Sequence, residues 1–385
     1  MGSREQMTSE RSLQITPFLV MDVLERAQEF ERAGKRVIHL EAGEPDFDTP
    51  EVIKEAAVRA LKEGKTHYTH SMGLLELREA ICEHYWDWYR VRVSPDCIVI
   101  TAGSSPAIQL SLLAVLDRGD EVVLSDPGYP CYSNMIVAQE GVPLRVEVSE
   151  DDEFQFHPET IARRISPRTK GILLNSPANP TGMILSSERM QEIARLGPML
   201  LSDEIYHGLT YGEKAHSVLE FTDRSLVFNG FSKLYAMTGW RLGYVIVPKE
   251  LARTVQKIHQ NFFISANAFV QWAGIAALRS AGAEVDAMVA LYDERRKVMV
   301  EGLRKLGFGI KHLPKGAFYV FAGIGGLGGD SLKLSMDILE KVYVGVAPGI
   351  DFGAHGEGYM RFCYANSREN IEEALNRLEK YVSMR

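Results

Sequence analysis

Cysteine is scarce in this chain, with four in 385 residues (Cys82, Cys97, Cys131, Cys363), no CxxC pair and no metal-type cluster. That leaves no cue for a disulfide scaffold or a metal centre, and four free thiols in a reducing compartment are expected. Cys131 and Cys363 read as packing residues. Long apolar runs are lacking too. No stretch of about 18 uncharged apolar residues occurs, so no transmembrane helix is expected. Positive charge is not in excess, because 43 Lys and Arg face 51 Asp and Glu for a net −8. This argues against a broad nucleic-acid or membrane surface while leaving room for a local basic pocket. Repeats and low-complexity tracts are absent. Residues 1–11 are polar without an apolar signal core and read as a frayed start or an expression remnant. The expectation is a cytoplasmic protein.

What is present is an ordinary globular balance, 45% apolar and 24% charged, in a chain long enough for two domains. Residues 20–33 have helical spacing, with Val20, Val23, Leu24, Ala27 and Phe30 on one side. A strand at 37–40, a turn-rich segment and a helix at 51–61 follow. Short, nearly continuous apolar runs then recur at 98–100, 122–124, 171–174, 199–201, 226–228 and 245–247. Helical segments such as 107–116 and 189–196 separate several of them. Such runs suit strands buried on both faces of a mostly parallel sheet. After about 282 the pattern changes to a long amphipathic helix (284–306), strand candidates at 317–321 and 359–362, and a last helix from 368 to 382. The Gly-rich 323–329 lacks a strand–helix context and reads as a connection. The fold class is therefore α/β. A large domain (46–282) has a mostly parallel central sheet covered by helices, and a smaller α+β domain is made of 1–45 and 283–385.

Ligands in such folds sit at the carboxyl ends of the strands, and chemistry-bearing residues fall there. Ser104, Tyr129, Asn179, Asp203 and Lys233 each follow a strand candidate directly. The stretch 229–244, between two apolar runs, holds Ser232, Lys233 and Arg241, so a hydroxyl, an amine and a guanidinium can converge on one small anion. A desolvated Lys beside cations can act as a nucleophile toward carbonyls, although a Lys taken at random is far more often solvated. In Gly103-Ser104-Ser105-Pro106, Pro106 fits a first helical position, which puts both serines at a helix N-terminus. They could be plain caps or, through free N–H groups and the helix dipole, a phosphate site. Asp203 ends a buried strand and is either a cap or a charge with a partner. Asn179 lies in a rigid Asn/Pro/Gly turn, and Tyr206 alone would be a half-buried aromatic. Arg361 sits in an apolar stretch where an unpaired guanidinium is costly. A planar fork there suits a carboxylate, whether a substrate's or a structural partner's.

Taken together, Ser232-Lys233, Thr238-Gly239-Trp240-Arg241-Leu242-Gly243, Glu44-Pro45-Asp46-Phe47, Tyr68, Gly103-Ser104-Ser105, 175–182, Ser202-Asp203-Glu204-Ile205-Tyr206 and Arg361 resemble class I/II aminotransferases. These are pyridoxal-phosphate enzymes of fold type I, similar to aspartate aminotransferases, and the resemblance runs from about Ile15 to the last helix. It implies pyridoxal 5′-phosphate held covalently by Lys233, with the phosphate on Gly103, Ser104, Ser105, Ser232 and Arg241. Asp203 would pair with the ring nitrogen, Tyr206 and Asn179 would share the phenolic oxygen, and Tyr129 would stack on the ring. Tyr68 would reach the phosphate of a neighbouring subunit, which requires a homodimer with shared sites. Arg361, with Gly43 and Asn179, would bind the substrate α-carboxylate. The implied activity is ping-pong transfer of an amino group between an amino acid and a 2-oxo acid such as 2-oxoglutarate, with Lys233, Asp203 and Tyr206 as the catalytic set.

Aspartate enzymes of this subgroup often place a Lys where this chain has Ser105. Without that cation a neutral or apolar donor is favoured over aspartate. The rivals are an aspartate aminotransferase, a β-eliminating lyase on the same fold, and a regulatory protein retaining the fold as a ligand sensor. The last expects a DNA-binding domain and a basic face, which do not fit the charge of −8.

Overall fold

The apolar runs become strands because each is buried on both faces and bounded by turn-forming residues. The computed structural model describes residues 8–384; most of the polar start read from the sequence, 1–7, lies outside them. The strands, in chain order, are β1 (Ile38–His39), β2 (Ile98–Thr101), β3 (Glu121–Asp126), β4 (Val142–Glu147), β5 (Thr169–Asn175), β6 (Met199–Asp203), β7 (Ser225–Gly230), β8 (Gly243–Ile246), β9 (Tyr319–Gly323), β10 (Val344–Gly345), β11 (Ala347–Pro348) and β12 (Tyr359–Cys363). Among the described residues they form three sheets. The largest has the order β2-β8-β7-β6-β5-β3-β4, and β8 alone runs antiparallel to its neighbours.

β4 escapes the apolar-run criterion. It pairs only with β3, along its whole length, and carries Pro143 and Arg145. An edge strand tolerates a proline and a half-wet face, so its sequence lacks the continuous hydrophobic signature. β7 and β8 inside the sheet, and β2 at its opposite edge, are buried at every position.

Two smaller sheets complete the frame. β9 and β11 flank β12 in antiparallel register, placing Arg361 opposite both Phe321 and Ala347. β1 pairs with β10 in parallel, Ile38 against Val344 and His39 against Gly345. The long helix Gly282–Lys305 and the last helix, Arg368–Ser383, pack on this part. The helix Leu19–Arg32 buries Val20, Val23 and Ala27, while Leu24, on the same stripe in the sequence reading, turns to the cavity described below. No side chain of its own caps this helix. Asp351 does so from afar, its two oxygens accepting from Leu19 N at 2.9 Å and Val20 N at 3.2 Å, which satisfies donors every helix start leaves free. No helix among the described residues is long and apolar enough to cross a membrane.

One expectation is corrected. The helix after β2 begins at Ser104 with Gly103 as its N-cap, and Pro106 is the third helical residue rather than the first. Its missing N–H is still among those without an intrahelical acceptor, so the helix tolerates it there.

Candidate active site

The carboxyl ends of β2, β3, β5, β6 and β7 open on one cavity of about 420 Å³. Ser104, Ser105, Tyr129, Asn179, Asp203, Tyr206, Ser232, Lys233 and Arg241 line it from the large sheet, and Gly43 and Arg361 from the opposite side. Two singled-out residues are not on its wall. Gly103 lies against the guanidinium of Arg241, and Tyr68 is 80% exposed outside the cavity of this chain.

At the floor, Asp203 closes β6 and is buried. Tyr132 donates its hydroxyl to Oδ2 at 2.6 Å, and the Ile205 N–H donates to Oδ1 at 3.1 Å. Burial pushes the acid up to about 6, while Tyr132, Ile205 and the nearby Lys233 charge act the other way. Lys233 Nζ donates to the Gly43 carbonyl at 2.6 Å. Desolvation lowers its pKa to about 8, with Arg361 and Arg241 contributing in the same direction. Cys363 is buried and its thiol is pushed up to about 12, so it stays a neutral packing group.

At one end, the helix Ser104–Val115 presents its N-terminus with no side-chain cap. The plain-capping alternative for the serines therefore has no bond to support it. Gly103 (φ +104°) leaves space for the guanidinium of Arg241, since a Cβ there would stand 2.5 Å from a guanidinium nitrogen. Arg241 itself takes φ +55° and donates to the Thr238 carbonyl at 2.9 Å. Gly243 allows β8 to lie against Gly103 and Ser104.

At the other end, Arg361 is 2% exposed. It donates to Asn179 Oδ1 at 2.9 Å and to the Glu41 carbonyl. Tyr319 and Phe352 flank it at 4.4 and 5.0 Å from their ring centres, and its Nε has no partner among the described residues. Sequence reasoning missed Tyr132 and Tyr319. Tyr319 bonds Tyr206 hydroxyl to hydroxyl at 2.8 Å and lies against Gly43, where any Cβ would collide with it. It also missed the apolar wall of Phe18, Val20, Met21, Leu24 and Ile108. No spacing signal marks Tyr132 or Tyr319, whose roles arise only from tertiary placement.

Residues 35–378 match the family described as aminotransferase class I and II. This chain is a class I/II aminotransferase. It is 42% identical over 381 residues to a (5-formylfuran-3-yl)methyl phosphate transaminase of Methanocaldococcus jannaschii, covering 98% of this chain and 100% of that one. It is 42% identical over 386 residues to an aspartate aminotransferase of Pyrococcus horikoshii, covering 98% and 97%. The structure of Thermus thermophilus aspartate aminotransferase with maleate superposes with a TM-score of 0.93 at 37% identity, covering 97% of this chain and 99% of that one.

Members of this family use pyridoxal phosphate, and the residues of this cavity fit that group. A phosphate can be held by the uncapped helix start at Ser104, with Arg241 folded against it. A buried carboxylate suits a cationic ring nitrogen, and a partly neutral amine suits an aldehyde.

Proposed function

We propose that this aminotransferase moves the amino group of a neutral or apolar α-amino acid to a 2-oxo acid such as 2-oxoglutarate, in two half-reactions at one site. The observation that carries the donor class is the cavity wall. Among the described residues its only Lys and Arg are Lys233, Arg241 and Arg361, and each already has a task in this reading. Phe18, Val20, Met21, Leu24 and Ile108 offer a side chain apolar surface and no counter-ion for a distal carboxylate. A valine–pyruvate aminotransferase of Mycobacterium tuberculosis, 38% identical over 376 residues and covering 96% of this chain and 97% of that one, accords with it. The aspartate aminotransferases among the relatives support the rival reading.

Bound at Lys233, the cofactor supplies an electron sink for the substrate's Cα–H bond. The chain's own groups do the rest. Arg361 orients the substrate carboxylate with its unpartnered Nε, in a site dry enough to strengthen that attraction. The Lys233 amine, desolvated to a pKa of about 8, would take the proton from Cα as general base and deliver it to the cofactor carbon as general acid. Asp203 would keep a proton on the ring nitrogen, and Tyr132 and Ile205 hold its carboxylate through hydrogen bonds to its two oxygens. Tyr206 and the Asn179 amide would serve the phenolic oxygen, Tyr129 the ring, and Ser105 and Ser232 the phosphate, all from the wall of the same cavity.

In this reading residues 46–282 carry the acid, the amine and the phosphate ligands. Residues 1–45 with 283–385 carry Gly43 and Arg361, so substrate is gripped between two parts. The enzyme acts as a homodimer. Tyr68 is exposed, as are Phe262, Phe263 and Ile264, and the bond from the Thr69 N–H to Ser265 Oγ at 3.3 Å brings the two segments together. Apolar surface grouped in this way favours a protein partner.

The test is a donor panel of aspartate, alanine, methionine and phenylalanine with 2-oxoglutarate as acceptor. Higher kcat/KM for the apolar donors is expected, and Ser105→Lys should raise kcat/KM for aspartate about tenfold. A strong wild-type preference for aspartate overturns the donor class. Release of pyruvate and ammonia from a cysteine-type donor without an oxo acid would identify a β-eliminating lyase instead.

A further inference from the structure

Among the described residues Arg361 makes no ion pair with a carboxylate, and its two bonded arms rest on neutral acceptors, Asn179 Oδ1 and the main-chain oxygen of Glu41. The fork is therefore aimed only as well as the main chain at Glu41 is held.

That hold is built by side chains the reaction does not use. Glu41 is fully buried. Its Oε1 lies 2.6 Å from His39 Nδ1, and His39 Nε2 lies 3.2 Å from Glu31 Oε1. Carboxylate oxygens only accept, so both ring nitrogens must carry hydrogen and His39 is an imidazolium. The bond to Glu41 raises the His39 pKa to about 9 against the opposing effect of burial. The other Glu41 oxygen has no partner among the described residues and sits over Gly345, where any Cβ would collide with it. His39 and Gly345 are register partners in the β1–β10 pair. Between them and the site, the Leu40 N–H bonds the Gly345 oxygen at 2.9 Å, and the Cys363 N–H bonds the Leu40 oxygen at 2.7 Å. Residues 39–41 are thus laced to β10 and to β12, the strand of Arg361.

We propose that His39 and Glu41 are positioning residues for Arg361: the imidazolium pins the Glu41 carboxylate in the notch over Gly345, and this fixes the carbonyl that aims the guanidinium. The charged groups facing His39 are Glu31, from the helix Leu19–Arg32, and Glu41 on its own segment. Asn366 meets only its main-chain oxygen, at 3.0 Å. As pH rises through about 9, His39 loses its proton, leaving a buried carboxylate without compensation. The grip on substrate carboxylates weakens on that alkaline side and is intact below it. The inference rests on Arg361 as the carboxylate clamp.

Calorimetric titration of the cofactor-loaded protein with 3-phenylpropionate, a monocarboxylate without an amino group, tests this. The wild type should bind it less tightly above pH of about 9 than below. His39→Gln should bind about three- to tenfold more weakly at neutral pH, the loss one misaligned hydrogen bond brings, and show no further alkaline step. His39→Lys, which keeps its charge, should stay within about twofold of wild type, and kcat at saturating substrate should be unchanged in both. Wild-type affinity that is flat through about 9 overturns the proposal even without a variant. So does a His39→Gln protein that melts earlier yet binds normally, because a merely structural pair would behave so. Arg361→Gln separates the two readings. If it binds normally the clamp itself fails, and if it alone loses binding only the His39–Glu41 role fails.

Discussion

Asp203 and Glu204 are consecutive acids at the end of one strand, both buried, and they face opposite ways. Asp203 looks into the cavity with two donors and a neighbouring ammonium. Glu204 looks into the protein, where Ser202 Oγ, Ser217 Oγ and the Val218 N–H donate to one oxygen at 3.1, 3.0 and 3.0 Å. The Tyr85 hydroxyl meets the other oxygen at 3.4 Å. Burial pushes Glu204 to about 8, further than the 6 of Asp203. The adjacent His207 is driven down to about 3 by burial, so no ion pair forms there. Ranked by burial or perturbation, Glu204 would be the more functional acid. Access to a space that a cation can fill separates them, and perturbation alone does not.

The comparison breaks or sharpens under substitution. Lys233→Ala should lower turnover most, by ~10³-fold or more in a single-turnover assay with amino acid, since it removes both the proposed base and the proposed attachment point. Near-normal turnover would remove the basis of the proposed mechanism. Asp203→Asn should cost kcat about 10²-fold, the scale of losing one preorganised electrostatic partner. Tyr132→Phe, which deletes one donor to that acid, should lower kcat about three- to tenfold. Glu204→Gln should leave steady-state kcat within about twofold. Its effect belongs to stability. The folded protein keeps this proton up to about 8 while the unfolded chain releases it near 4.5. Glu204 therefore makes stability fall as pH climbs from 4.5 towards 8. Melting temperatures across that range should decline less steeply in Glu204→Gln than in wild type. A Glu204→Gln enzyme as impaired as Asp203→Asn would erase the distinction.

The sequence made the cavity's polar residues legible because apolar runs end immediately before Ser104, Tyr129, Asn179, Asp203 and Lys233, and parallel strands share one functional edge. β4 stayed hidden because, unlike β2 at the other edge, it buries only Val146 and so carries no continuous apolar run. Pro106 misplaced a helix start, since proline is tolerated through the whole first turn. Tyr319 and Tyr132 could not be read at all. Each matters by touching a residue far away in the chain, 113 positions for Tyr319 and Tyr206, 71 for Tyr132 and Asp203. The stripe Val20, Val23, Leu24, Ala27 was correctly seen as apolar, but periodicity cannot say that Leu24 faces a cavity while Val23 faces a core.

Gly230 and Gly243 are ladder partners, so the segment carrying Ser232, Lys233 and Arg241 leaves the sheet and re-enters it at adjacent points. Its outline is closed by main-chain pairing and wedged against the start of the Ser104–Val115 helix. One inserted residue would swing amine and guanidinium apart without unseating either strand. In the proposed reading the donor side chain meets a separate element, the helix Leu19–Arg32 with Met21 and Leu24 on the cavity wall, so substitutions there probe donor choice without touching this ring.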